Sequence, residues 1–121
     1  ALMQAAIYGL AGPKMTAEER SFFLDTDPIG YILFKRNCYD TEQLRELTDS
    51  LRTLHGRGDV PILIDQEGGR VARMQPPVWP GFPAGEAFAR LYELAPSSAI
   101  EAARSNARAI ALILREAGIN V

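Results

Sequence analysis

Three short runs without a single charge, Ala5 to Leu10, Gly30 to Phe34 and Val60 to Ile64, recur between segments of helical character. This alternation constrains the fold more than any other feature of the chain. Continuous apolar runs of this length mark strands buried on both faces. Strands separated by helices are joined by crossovers and therefore run parallel. The intervening helices carry their own punctuation. Thr16-Ala17-Glu18-Glu19 has capping-box spacing and opens a helix reaching about Leu24, where Phe22, Phe23 and Leu24 supply apolar contacts and Asp27-Pro28 ends it. Asp40 with Gln43 opens a second helix, Thr41 to His55, with Leu44, Leu47, Leu51 and Leu54 on one face and Gly56 at its end. Pro61 is tolerable near the start of the third strand.

After that strand comes a Gly- and Pro-rich loop from Gln66 to Pro83, then a short helical piece from Glu86 to Leu94. Ser97 or Ser98 is expected to open the last helix, with Glu101 placed for a box with Ser98. That helix reaches about Ala117, with Ala103, Ala107, Ile110 and Leu114 as its inward stripe. Gly118 ends it, and Ile119-Asn120-Val121 reads as the start of another strand, so the chain looks cut rather than finished. The order β-α-β-α-β-loop-α-β fits a doubly wound sheet or a piece of a (β/α) barrel.

Composition narrows the function classes. The chain has 121 residues, 47% hydrophobic and 23% charged, which is ordinary globular composition for one domain. Its formal charge of -2 gives no basic footprint for nucleic acid and no polybasic membrane surface. The longest apolar run, Ala109 to Leu114, is far short of the roughly 18–20 residues of a membrane span. The opening ALMQAAIYGLAG lacks the basic n-region and cleavage pattern of a signal peptide. Cys38, the single cysteine, forms no internal disulfide, and no Cys/His set has metal-ligand spacing.

In either architecture, chemistry collects at the C-terminal ends of the strands: Ala11-Gly12-Pro13, Lys35-Arg36-Asn37, and Asp65-Gln66-Glu67-Gly68-Gly69-Arg70. Asp65 follows four aliphatic residues directly, a costly place for a carboxylate without partners. It can accept from two sugar hydroxyls at once, or pair with Arg36, Arg70 or Arg73, and spacing leaves both readings open. Asp65 and Glu67 are not an acid and nucleophile pair. Two residues apart on one segment, they approach a ligand from the same side, whereas glycoside hydrolysis needs carboxyls on different flanks. Glu67 is expected to pair with an arginine. Gly68-Gly69 lacks phosphate-loop spacing and is expected to permit positive φ or a close backbone approach. His55, the only histidine, closes a helix on the side away from the strand C-termini. Cys38 reads as a small, partly buried residue, and Trp79 as an anchor for its loop.

The segment Ile64-Asp65-Gln66-Glu67-Gly68-Gly69-Arg70-Val71, followed by Arg73, closely resembles the signature of bacterial β-N-acetylhexosaminidases (β-N-acetylglucosaminidases) of glycoside hydrolase family 3. Gly30 to Asn37, Pro80-Gly81-Phe82-Pro83 and Glu116 to Val121 are similar to other segments of that family, so the resemblance spans the chain in order. It implies an α/β fold, the N-terminal part (about three βα units) of a (β/α)8 TIM barrel, with residues 1–121 one truncated segment of a single catalytic barrel. The implied activity is retaining removal of terminal β-linked N-acetylglucosamine from peptidoglycan fragments, in cytoplasmic cell-wall recycling, with no metal or organic cofactor. Its partners would be an N-acetylglucosamine-containing muropeptide or disaccharide and the remainder of the barrel, with no nucleic acid and no membrane. Asp65 and Arg73 match the family's substrate-binding aspartate and arginine, while Gly68, Gly69 and Arg70 match supporting loop positions. No catalytic residue carries over. The family's nucleophilic aspartate and its histidine acid/base have no match here, so the chain by itself is expected to be inactive. A family 3 β-glucosidase-like enzyme and a non-catalytic sugar-binding or assembly module are the alternatives. Such a segment would carry helices on one sheet face only, leaving the other face's Ile and Leu uncovered.

Overall fold

The computed structural model describes residues 2–121; Ala1, the first residue of the apolar opening segment, lies outside them. The elements are β1 (Gln4–Tyr8), α1 (Ala17–Thr26), β2 (Pro28–Leu33), α2 (Thr41–His55), β3 (Ile62–Ile64), β4 (Gln66–Gly68), β5 (Val71–Ala72), α3 (Gly85–Leu94) and α4 (Pro96–Glu116), with a 3₁₀ turn at Lys35–Asn37. The chain is a mixed α/β fold.

β1, β2 and β3 form a parallel sheet in sequential order, with Tyr8 beside Tyr31 and Tyr31 beside Ile62. After α4 the chain returns to the open edge of β3. There the Val121 N–H donates to the Ile62 carbonyl at 3.2 Å and its carbonyl accepts from the Ile64 N–H at 3.2 Å. Bonding to residues two apart on the neighbour is the parallel ladder pattern, so the expected new strand begins beside β3.

Alternation along each strand sorts the two faces. Tyr31, Leu33, Ile62 and Ile64 turn to the helices and form the core with Phe23, Leu44, Leu47 and Leu51. Ile32 and Leu63 stand on the other face and are half-buried, and Ile7 is 47% exposed. The sheet is covered on one side, as expected.

The caps of the first two helices form as the sequence predicts. Thr16 accepts from the Glu19 N–H, and Glu19 accepts from the Thr16 N–H. Asp40 accepts from the Gln43 N–H at 2.7 Å, and α2 spans the predicted residues. Three expectations change. The strands are shifted or shorter, β2 beginning at Pro28 immediately after the Asp27 C-cap. Neither Ser97 nor Ser98 caps α4; Pro96 occupies its first turn behind Ala95, because α3 runs into α4 with one residue between them. The inward stripe of α4 also departs from the predicted one, since Ala107 is exposed whereas Ala99 and Ala117 are buried. The helix packs on α3 at its start and meets the core only at its end, so no single stripe runs its whole length.

Candidate functional site

The loops at the C-terminal ends of the strands are tied together before any ligand is considered. Asn37 is fully buried, and its side chain uses every reach it has. Oδ1 accepts from the Phe34 N–H at 2.8 Å, while Nδ2 donates to the Leu10 carbonyl at 3.1 Å and the Gly12 carbonyl at 2.8 Å. The Arg36 Nε–H adds a bond of 2.8 Å to the Leu10 carbonyl. The β1 and β2 loops are thus fixed to one another by buried polar groups, each of which would otherwise be orphaned.

Beyond β3 the expected loop contains an antiparallel hairpin, β4 and β5. Gly68 and Gly69 make its bend at φ of +89° and +58°. A Cβ on Gly68 would stand 2.3 Å from the Pro83 carbonyl oxygen, and one on Gly69 would stand 2.7 Å from Ala84 Cβ. Both expectations for these glycines, positive φ and a close backbone approach, are met. The Gly69 N–H is already engaged by the Phe82 carbonyl at 2.8 Å.

The hairpin returns Arg73 to Asp65. Its guanidinium lies 3.4 Å from Asp65 Oδ2 and 5.9 Å from the Phe34 ring centroid, with the Arg36 guanidinium at 4.9 Å from the same ring. Asp65 is half-exposed and Arg73 mostly covered, so carboxylate lone pairs remain open beside a neighbouring cation. This geometry suits hydroxyl recognition, with the acid accepting and the guanidinium donating. Glu67, in contrast, is exposed and makes no ion pair among the described residues, which corrects its expected pairing.

A cavity of about 230 Å³ adjoins Arg73, lined in part by Lys35, Cys38, Tyr39 and Trp79. Trp79 is buried and donates from Nε1 to Thr41 Oγ1 at 2.8 Å, holding the loop against α2 as expected. Burial pushes the Cys38 thiol up to about 11, so it stays protonated at neutral pH.

His55 belongs to the opposite end of the sheet. Its side chain is 4% exposed, with Nδ1 3.1 Å from Asp27 Oδ1 and Nε2 bonded to the Tyr31 hydroxyl. Burial, then the nearby Asp27 charge, holds Tyr31 well above the ordinary phenol range. The phenol therefore keeps its proton at neutral pH, and the imidazole bridges it to the Asp27 carboxylate. His55 joins the C-terminus of α2 to the start of β2 and takes no part in the Asp65 site. Two contributors are not evident from residue type: Asn37, and Gln66, whose side chain bonds the backbone of Arg73 and Met74. The only sequence signals for them are an amide directly after a strand and one directly beside the aspartate.

A parallel βα segment with an aspartate–arginine pair at a strand's C-terminal end is the class of structure these observations define. Its likeness is to glycoside hydrolase family 3: a beta-N-acetylglucosaminidase of that family from Paenibacillus sp. matches 94% of this chain and 21% of its own, with TM-score 0.81 and 27% identity. No model of a known protein family matches the chain. The chain is similar over nearly its whole length to bacterial beta-hexosaminidases, and the resemblance read from its motifs holds. It is 36% identical over 118 residues to the beta-hexosaminidase of Xanthomonas oryzae pv. oryzae, covering 95% of this chain and 34% of the relative. The Alkalilimnicola ehrlichii beta-hexosaminidase is 39% identical over 101 residues, or 81% of this chain and 28% of the relative. NagZ from Neisseria gonorrhoeae, solved in complex with N-trifluoroacetyl-D-glucosamine, superposes with TM-score 0.88 and 32% identity over 97% of this chain and 34% of its own. The chain thus spans about a third of the length of the curated relatives it matches.

Proposed function

We propose that this chain is the N-terminal portion of a β-N-acetylhexosaminidase barrel, and that Asp65 and Arg73 hold the sugar whose glycosidic bond is cleaved. The observation that carries this reading is their convergence. Eight residues apart in sequence, they meet at 3.4 Å at the C-terminal end of a parallel strand. Sequential strand order, with Val121 bonded to the edge of β3, supports a closed barrel over a doubly wound sheet, where the order reverses. Residues 1–121 then form one segment of a single catalytic domain, whose remainder supplies the nucleophile and the acid/base. No metal or organic cofactor takes part.

Asp65 accepts from hydroxyls of the terminal N-acetylglucosamine while Arg73 donates, fixing the anomeric carbon in register for groups on the rest of the barrel. The substrate class is a disaccharide or muropeptide released from peptidoglycan, processed in cytoplasmic cell-wall recycling. That the Neisseria gonorrhoeae NagZ was solved with N-trifluoroacetyl-D-glucosamine supports an aminosugar as the class of ligand.

The test is the full-length protein carrying this chain, assayed for nitrophenol release from p-nitrophenyl N-acetyl-β-D-glucosaminide and from the matching glucoside. Preferential cleavage of the aminosugar, lost in Asp65→Ala, is expected. Preference for the glucoside would instead indicate a β-glucosidase-like enzyme. Sugar binding without cleavage of either would indicate a binding module.

A further inference from the structure

β5 ends at Ala72, and the β4–β5 ladder is irregular between Gln66 and Gly68. The backbone N–H groups of Arg73 and Met74 therefore lie past the reach of main-chain pairing within the hairpin. The Gln66 side chain takes them over. Oε1 accepts from the Arg73 N–H at 2.8 Å and the Met74 N–H at 3.0 Å, and Nε2 donates to the Met74 carbonyl at 2.8 Å. One amide thus makes three bonds to the backbone of two successive residues, with both lone pairs of its oxygen used. Met74 is fully buried, so the clamp fixes a segment anchored in the core at one residue and carrying the site's guanidinium at the residue before.

We propose that Gln66 is a positioning residue for the sugar site: its amide sets the register of Arg73 against Asp65, and it touches no substrate. This rests on the reading that Asp65 and Arg73 hold the sugar. Gln66 adjoins Asp65 in the chain, so the clamp makes the acid and the cation parts of one rigid loop. The guanidinium needs that help. Its bond to Asp65 is long at 3.4 Å, and its buried Nε has no partner among the described residues, so the side chain's own contacts do not fix it. Rigid placement matters because a displacement of about 1 Å in a positioning group can cost on the order of a hundredfold in rate.

A double-mutant cycle in the full-length protein tests this. Gln66→Ala should lower kcat/KM for p-nitrophenyl N-acetyl-β-D-glucosaminide at least tenfold, and Arg73→Ala should do the same. In the Arg73→Ala background, adding Gln66→Ala should change kcat/KM by less than threefold, because the residue acts through the arginine. Gln66→Glu keeps both acceptances and sacrifices one donation, so it should recover part of the loss and serves where Gln66→Ala does not fold. Multiplicative losses in the double variant overturn the proposal, as does Gln66→Glu losing as much as Gln66→Ala or Gln66→Ala staying within threefold of wild type. Asp65→Ala leaves the clamp intact and separates the two readings. Full activity there strikes the sugar site itself, whereas activity lost in Asp65→Ala but retained in Gln66→Ala strikes only the clamp.

Discussion

Asp65 illustrates how one residue's position carries a functional argument. A carboxylate directly after an apolar strand must find partners, and it has one neighbouring cation and open lone pairs. In the proposed full-length enzyme, Asp65→Asn keeps the shape but loses the charge that strengthens hydroxyl bonds. Hydrogen bonds to charged groups are worth about 1.5–3 kcal/mol each. Half-exposure of Asp65 favours the low end, giving a fall of about one to two decades in kcat/KM at 1.36 kcal/mol per decade. A loss below threefold in steady-state kinetics would count against the assignment. Cys38 gives a second prediction at this scale. With its thiol pushed up to about 11 by burial, iodoacetamide labelling at pH 8 should be much slower than for a free thiol and should rise steeply above pH 9. The sign for stability follows from linkage. The folded state holds this proton more tightly than the unfolded chain, so the thiol is neutral to folding at pH 7 and opposes it as pH climbs from the ordinary thiol range toward 11. A labelling midpoint near pH 8.5 in folded protein would contradict the burial argument. Asp65 was readable because charge after an apolar run is rare; Gln66 was not, because an amide in a polar loop has no periodicity and its partners exist only once the hairpin has closed.

At the scale of elements, what could be read was what repeats. Leucine spacing, the Asp40 side-chain cap and the closing Gly56 located α2 to the residue, since all three signals are local. The β4–β5 hairpin left no such trace: its strands span three and two residues, and its bend relies on backbone geometry rather than pattern. The start of α4 was misplaced because serines there offered a cap that the preceding helix made unnecessary. Two glycines make the hairpin a prediction. In Gly68→Ala the new Cβ would press on the Pro83 carbonyl oxygen at 2.3 Å with φ still at +89°, so the turn and the Pro83 loop must separate. Strained backbone of this kind costs about 1–3 kcal/mol before any clash. The variant should melt several degrees lower and weaken sugar binding through Arg73, measured by thermal unfolding and calorimetry on the same preparation. An unchanged melting temperature would mean the turn has another accessible path.

Across the whole molecule, the sheet separates two kinds of polar cluster. At its C-terminal end lie Asp65 and Arg73 with open valences; at the other end Asp27, His55 and Tyr31 satisfy one another. The resemblance implies a histidine acid/base, and this chain's only histidine is committed to the wrong end. Parallel alternation made that separation legible in advance, because a helix following one strand and preceding the next must end at the far side. What alternation left unspecified was the partner set that buries the imidazole, since Asp27 and Tyr31 lie more than twenty residues away in sequence. Two outcomes follow. The 121-residue chain, purified, should release no nitrophenol from p-nitrophenyl N-acetyl-β-D-glucosaminide at any pH, whatever its affinity for the sugar. In the full-length protein, His55→Ala should leave Asp27 and the Tyr31 hydroxyl without their shared partner and lower the melting temperature, since a buried hydroxyl such as that of Tyr31 costs about 1–3 kcal/mol when left unpaired. The pH profile of kcat/KM should keep its shape. A shifted or missing limb in that profile would move His55 into the chemistry and reverse the assignment of the two ends.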